Sequence, residues 1–177
     1  MARLNINEHN IDEIEIHKIQ NKVDVNSKLI DEIVNRLVLK YCNELDTYMH
    51  KIKIILQDEI NPPKDLELEN FVLSLPVLLY FTSEAQESLG IKEDMSKAIK
   101  SEVYNVAYKE ASGTVADKTT KAEQESSNEI ITYIIYQRAY KKIKLRMEAG
   151  YEMLSSVKKV MSKRIVEFEL SRTSGGN

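Results

Sequence analysis

Residues 114–170 read TVADKTTKAEQESSNEIITYIIYQRAYKKIKLRMEAGYEMLSSVKKVMSKRIVEFEL, and this stretch decides the fold class. Thr114-Val115-Ala116-Asp117 matches a capping box, in which a hydroxyl and a carboxylate each satisfy an amide of a first helical turn. From Ala116 to Leu170 there is no proline, and Gly150 is the only glycine. An apolar seam recurs in steps of three and four through Tyr133, Tyr136, Tyr140, Ile143, Met147, Gly150, Leu154, Val157, Met161 and Phe168, with Arg164 as an interruption. That spacing approaches a heptad pattern. A helix of about 50 residues spans about 75 Å, more than the width of a compact domain of this size. The seam therefore predicts partner helices, supplied by a second copy of the chain or by a hairpin folded back near Gly150, with a bent helix packed inside a monomeric bundle as the alternative.

Working back toward the N-terminus, Leu29, Ile30, Ile33, Val34, Leu37, Val38, Tyr41, Leu45, Tyr48, Ile52, Ile55 and Leu56 form another helical stripe, capped at Asn26 or Ser27 and ended by Pro62-Pro63. The segment from Leu66 to Leu89 is apolar on all sides at its centre, Phe71 to Phe81, and belongs in the core. Pro76 opens or kinks it, and Gly90 is placed to close it. A further helix has Ile91, Met95, Ile99, Val103, Val106 and Ala107 as its inner stripe and ends at Ser112-Gly113. Residues 1–26 alternate at Ile14-Glu15-Ile16 and Val23-Asp24-Val25, which reads as a short hairpin or an extended arm. The expectation is thus an all-α fold in four parts. Residues 1–26 form the arm or small β-hairpin, 27–113 a helical body, 114–170 a long coiled-coil-like C-terminal helix or helical hairpin, and 171–177 a polar, disordered tail.

No apolar run approaches the length of a membrane span, and the N-terminus lacks the apolar core of an export signal, so the chain reads as cytoplasmic and without membrane partners. The single cysteine, Cys42, sits on an apolar pattern and reads as a buried small hydrophobe. Phosphate loops are excluded because no Gly-x-Gly or Gly-Lys-Ser/Thr occurs, and His9, His17 and His50 are scattered. Glu13, Glu15 and His17 would share a face only if the arm were a strand, and read as a solvated polar face. No metal, cofactor or catalytic residue is expected, and the reading is of a protein that is not an enzyme.

The net charge of −3 is unevenly divided. Residues 1–137 hold 15 Lys/Arg against 24 Asp/Glu, whereas Arg138 to Arg164 holds nine basic residues against Glu148 and Glu152. A segregated charge of that size attracts a polyanion even when the whole chain is acidic. Tyr133, Tyr136, Tyr140 and Tyr151 interleave with Arg138, Lys141, Lys142, Lys144 and Arg146, and a smaller group, Lys97, Lys100, Tyr104, Tyr108 and Lys109, lies upstream. Stacking of bases on aromatic rings beside cations that neutralise phosphates holds single strands without reading sequence. These ten cations and tyrosines, Lys97, Lys100, Tyr104, Tyr108, Lys109, Arg138, Lys141, Lys142, Lys144 and Arg146, are the candidate nucleic-acid contacts. Tyr133, Tyr136, Tyr140, Ile143, Met147, Leu154, Val157 and Met161 are the candidate oligomer interface.

The order of features resembles the UvsY-type recombination mediators of tailed phages. The stretch Lys100-Ser101-Glu102-Val103-Tyr104-Asn105-Val106-Ala107-Tyr108-Lys109-Glu110-Ala111-Ser112-Gly113 corresponds to that family's basic and aromatic helix ending at a glycine, and the helix after Thr114 to its oligomerisation segment. The similarity covers roughly residues 66–170 and is one of pattern. Glu102 and Glu110 depart from the family's basic stretch, and the stronger basic run here lies further on. The resemblance implies a ring-like homo-oligomer that binds single-stranded DNA and helps a recombinase displace a single-strand-binding protein. The competing expectation, drawn from the seam alone, is a structural or regulatory adaptor whose long helix docks on a protein partner.

Overall fold

The computed structural model describes residues 13–174, and they form four helices: α1 (Glu13–Leu56), α2 (Asp65–Glu110), α3 (Val115–Glu125) and α4 (Ser127–Ser174). Three of these, of 44, 46 and 48 residues, lie side by side. Tyr48 of α1 packs edge-on against Phe71 of α2, with ring centroids 6.0 Å apart, so those two run antiparallel. Arg164 near the end of α4 reaches Asp65 at the start of α2, and Asp31 of α1 meets Lys142 of α4. The arrangement is an up-down-up bundle in which α1 and α4 share a direction.

The expected hairpin or arm gives way to helix. Residues 13–26 belong to α1, so Glu13, Glu15 and His17 lie on helical backbone and the strand face that would align them does not form; residues 1–12 lie outside the described chain. Alternation over so short a stretch fits a helix edge as well as a strand. Pro62-Pro63 does separate α1 from α2, and the Asp58 carboxylate accepts the amides of Ile60 and Asn61 in the turn between them.

The expected boundary near Gly90 is absent: α2 runs unbroken through Pro76 and Gly90. Pro76 is exposed, so solvent can serve the carbonyl one turn back that loses its amide donor. Nor is the apolar centre of α2 wholly internal. Leu68, Phe71, Leu75, Leu79 and Leu89 are buried, while Leu73 is 71% exposed and Val77, Tyr80 and Phe81 also face outward. Ile91, Met95, Ile99 and Val106 of the expected inner stripe are exposed too, and Ala107 is the buried member.

The Thr114 capping box forms as its sequence predicts: the Thr114 amide donates to Asp117 Oδ2 at 2.9 Å and the Asp117 amide donates to Thr114 Oγ1 at 3.3 Å. Hydrogen bonds from the Thr114 hydroxyl and amide hold the Asp117 carboxyl below its ordinary value. Gly113, at φ 109°, provides the left-handed residue before the cap, where a Cβ would meet Asp117 Oδ2 at 2.9 Å. The helix begun there is not one rod. Ser126 is buried, leaves the helical region at φ −90° and ψ 7°, and turns its hydroxyl back onto the Ala122 carbonyl at 2.8 Å. Such back-bonding bends helices, and it divides α3 from α4.

α4 then passes straight through Gly150 without a hairpin and continues to Ser174, so residues 171–174 of the expected disordered tail are helical. Its seam is already covered. Ile143 and Val157 are 0% exposed, Met147 is buried, and Tyr136, Tyr140, Leu154 and Met161 pack against the same cluster formed with α1 and α2. Apart from Tyr133, which is half-buried under Lys100, the residues of the expected oligomer interface pack into this chain's own core. α1 and α2 are themselves about 65–70 Å long and flank α4 over most of its course, so the length of the seam is matched within the chain. Cys42 is buried in that core, and burial pushes its thiol up to about 11.

Two glycines contribute differently to the bundle. A Cβ on Gly150 would stand 2.7 Å from Leu79 Cδ2, whereas one on Gly90 would meet Tyr140 at an ordinary 3.4 Å. Gly90→Ala is expected to raise stability by about 0.5–1 kcal/mol through helix propensity. Gly150→Val should lower it by about 1–3 kcal/mol by overpacking a site with no slack. Thermal unfolding followed by circular dichroism checks both signs.

Arg164, the interruption in the seam, ties the far end of α4 to the α1–α2 connection. Its guanidinium donates to the Pro63 carbonyl at 2.6 Å and to Asp65 Oδ1 at 2.9 Å. Arg164→Met keeps the apolar stem and removes those donors. A loss of about 1 kcal/mol is expected, with faster amide exchange in residues 58–64.

Candidate nucleic-acid interface

The structure sorts the basic residues of α4 into two kinds. Lys142 Nζ sits 2.6 Å from Asp31 Oδ1 and 2.9 Å from Asn35 Oδ1, and Arg146 Nε donates to both carboxylate oxygens of Asp46 at 2.7 and 3.0 Å. Both side chains bridge α4 to α1, and Arg164 bridges it to the start of α2. Lys142 holds the Asp31 carboxyl below its usual value of 3.8, chiefly through the hydrogen bond and then through its charge. A depressed carboxylate contributes stability above its unfolded pKa, so this bridge is in place at neutral pH and is lost as pH falls below about 4. Of the expected phosphate contacts, Lys142 and Arg146 are thus the two whose charge is already matched by a carboxylate of α1.

Arg138, Lys141, Lys144, Lys158 and Lys159 have no ion-pair partner among the described residues and are exposed. Steps of three carry Arg138, Lys141 and Lys144 along about 9 Å of helix axis while turning about 120° round it, so these exposed cations form a short, winding patch. Lys144, Tyr151 and Lys158 are seven residues apart and therefore share one line on the helix surface. Tyr151 is 54% exposed, so the line presents cation, open aromatic ring and cation in order. Sequence reasoning passed over Lys158 and Lys159, although the seven-residue spacing from Lys144 was there to be read.

The upstream group is partly enclosed. Tyr104 and Tyr108 are half-buried and stack on each other, rings 16° from parallel with centroids 6.3 Å apart. Lys100 lies 4.9 Å over the ring of Tyr133, which brings the two groups onto one helix pair. Arg138 follows Tyr133 by five residues, about 8 Å further along α4. Lys100, Ser101, Tyr104, Asn105, Glu123, Ser126 and Ile130 line a shallow hollow at this end. Glu123 offsets the charge of Lys100 there, so the hollow is less positive than the lysine count suggests. Lys97 and Lys109 are exposed beside it.

Tyr133, Tyr136 and Tyr140 are half-buried between helices, with the Tyr133 hydroxyl accepting from Gln137 Nε2 at 2.8 Å. Packing of this kind leaves Tyr151, and the outer faces of Tyr104 and Tyr108, as the rings available for stacking. Among the described residues no cluster of His, Cys, Asp and Glu has metal-ligand geometry, and no helix is long and apolar enough to cross a membrane. Comparison of this chain with protein-family models, with curated proteins and with solved structures finds no match.

Proposed function

We propose that this protein is a non-catalytic recombination accessory protein that binds single-stranded DNA without reading its sequence. It acts as a homo-oligomer in the cytoplasm and assists the loading of a recombinase against a single-strand-binding protein. The observation that supports the reading is the exposed line Lys144–Tyr151–Lys158 on α4, with Arg138 and Lys141 on the turns before it: the four cations have no ion-pair partner among the described residues, whereas Lys142, Arg146 and Arg164 of the same helix are bridged to α1 and α2. Cations set along a strand release its counterions, and an open ring stacks a base of any identity. The resemblance in feature order to the UvsY-type mediators supplies the recombination context and the protein partners.

A fluorescence-anisotropy titration with a labelled single-stranded oligonucleotide at two salt concentrations tests this. Saturable binding at low salt that weakens steeply with added salt is expected, with little difference between oligonucleotide sequences. Absence of binding at low salt sinks the proposal.

One observation favours a second reading, a helical adaptor that docks on proteins: the long outward apolar face of α2, which the bundle leaves uncovered. An intact assembly that ignores the oligonucleotide at low salt selects it.

A further inference from the structure

α2 carries apolar residues on two opposite sides. Leu75, Leu79 and Leu89 point into the bundle, while Leu73, Val77, Tyr80, Ile91, Ile99 and Val106 are each about half exposed or more. At 100° per residue this second set falls on one side of the helix, and Tyr80 and Ile91 stand three turns apart, so the stripe runs straight along the axis rather than winding round it. From Leu73 to Val106 it extends for about 50 Å, and at a helix width of about 10 Å it offers about 500 Å². Two such faces together bury about 1,000 Å², the lower bound for a specific contact between proteins.

The charge along α2 indicates what covers it. From Asp65 to Ile91 the helix has Asp65, Glu67, Glu69, Glu84 and Glu87 and no Lys or Arg; all four of its lysines, Lys92, Lys97, Lys100 and Lys109, follow, balanced by Glu93, Asp94, Glu102 and Glu110. The halves therefore carry −5 and 0 from the residues of α2 itself, or −4 and 0 once the pairing of Asp65 with Arg164 is counted. Glu84 and Glu102 stand on the stripe itself. A parallel, in-register pair would set each of those carboxylates against its own copy and lay one acidic half along the other. An antiparallel pair relieves both repulsions. With its two-fold axis between Leu89 and Gly90, it sets Leu73 of one copy against Val106 of the other, Tyr80 against Ile99 and Glu84 against Met95, and it brings the Lys109 end beside the acidic start.

The geometry points to a second copy of this chain, docked antiparallel through the outward face of α2, as the occupant of the stripe. This places the self-association of the proposed function on α2 instead of α4; it rests on the homo-oligomer part of that reading and not on DNA binding.

Light scattering coupled to size exclusion on the full chain tests it. The wild type is expected to have twice the chain mass or an even multiple, and the double variant Tyr80→Glu/Ile99→Glu, both at positions exposed on the single chain, half the wild-type mass with unchanged helicity and a cooperative melt whose midpoint no longer depends on protein concentration. Orientation is read by oxidation of single-cysteine additions, since Cys42 is buried. Ser88→Cys, beside the axis, should crosslink two copies, and Leu73→Cys, about 50 Å from its counterpart, should not. A monomeric wild type, or a double variant of wild-type mass, overturns the proposal and gives the face to another protein. Crosslinking through Leu73→Cys instead of Ser88→Cys overturns the antiparallel pairing. Oligonucleotide titration of the double variant keeps the two readings apart: a dimer that binds no DNA sinks the DNA-binding reading alone, and a monomeric wild type that binds DNA sinks this one alone.

Discussion

Ile143→Asp is expected to unfold the protein, not to dissociate an assembly. Ile143 sits on the α4 seam and is 0% exposed, a member of the one apolar cluster that α1, α2 and α4 build together. The fully buried members of that cluster are apolar apart from Cys42 and carry no cation to neutralise a carboxylate. Burying an unpaired charge there costs several kcal/mol even if the group stays protonated, and the lost isoleucine packing adds to it. Against a total stability of about 5–15 kcal/mol, the sum removes most of what holds the native state. The expected result is loss of cooperative melting, or a Tm lowered by about 10 °C or more. Had α4 presented this seam to a second copy, the same substitution would have yielded a folded monomer with wild-type helicity. Tyr80→Glu/Ile99→Glu is the counterpart, expected to halve the mass and keep wild-type helicity and a cooperative melt, because both residues face solvent on the single chain and only the dimer's concentration-dependent contribution to Tm is lost. Circular dichroism and light scattering on the two variants separate a core face from a docking face.

The contrast between those faces marks where the sequence stops being readable. Helix content, the capping box at Thr114, the break at Pro62-Pro63 and the burial of Cys42 rest on local chemistry and periodicity, and each is found in the fold. α2 was harder because Leu73 and Val77 alternate with Leu75 and Leu79 in a run that is apolar throughout, and one-dimensional periodicity cannot say which side meets the bundle. Gly90 and Pro76 added boundary signals that tertiary packing overrode. The α4 seam was recognised correctly as a seam and assigned to the wrong partner. Its cover comes from α1 and α2, whose own lengths were underestimated by the boundaries drawn at Asn26 and Gly90.

The candidate site shows the same limit in charge. Lys141, Lys142 and Lys144 look equivalent along the chain, yet Lys142 is bound to Asp31, 111 residues earlier, and only the bundle brings them together. That difference makes the second large effect specific. The triple charge reversal Arg138→Glu/Lys141→Glu/Lys144→Glu removes three exposed cations without breaking an internal bridge, so folding and melting should remain near wild type. Affinity for a single-stranded oligonucleotide at low salt is expected to fall on the order of a hundredfold, through three lost phosphate contacts and the repulsion that replaces them. With a slope of about 0.7 per neutralised phosphate, three contacts also account for about two units of the salt dependence, so a fourfold rise in salt should cost the wild type about fifteen-fold more affinity than the variant. Lys142→Gln is the discriminating control. If the basic segment acted as undifferentiated positive charge, that control would weaken binding as much as Lys141→Gln does. Because its ammonium is committed to α1, it should instead leave the titration nearly unchanged and lower the melting temperature. Tyr151→Ala should reduce affinity by a similar amount at every salt concentration, since stacking releases no counterions, whereas Lys158→Gln should flatten the slope.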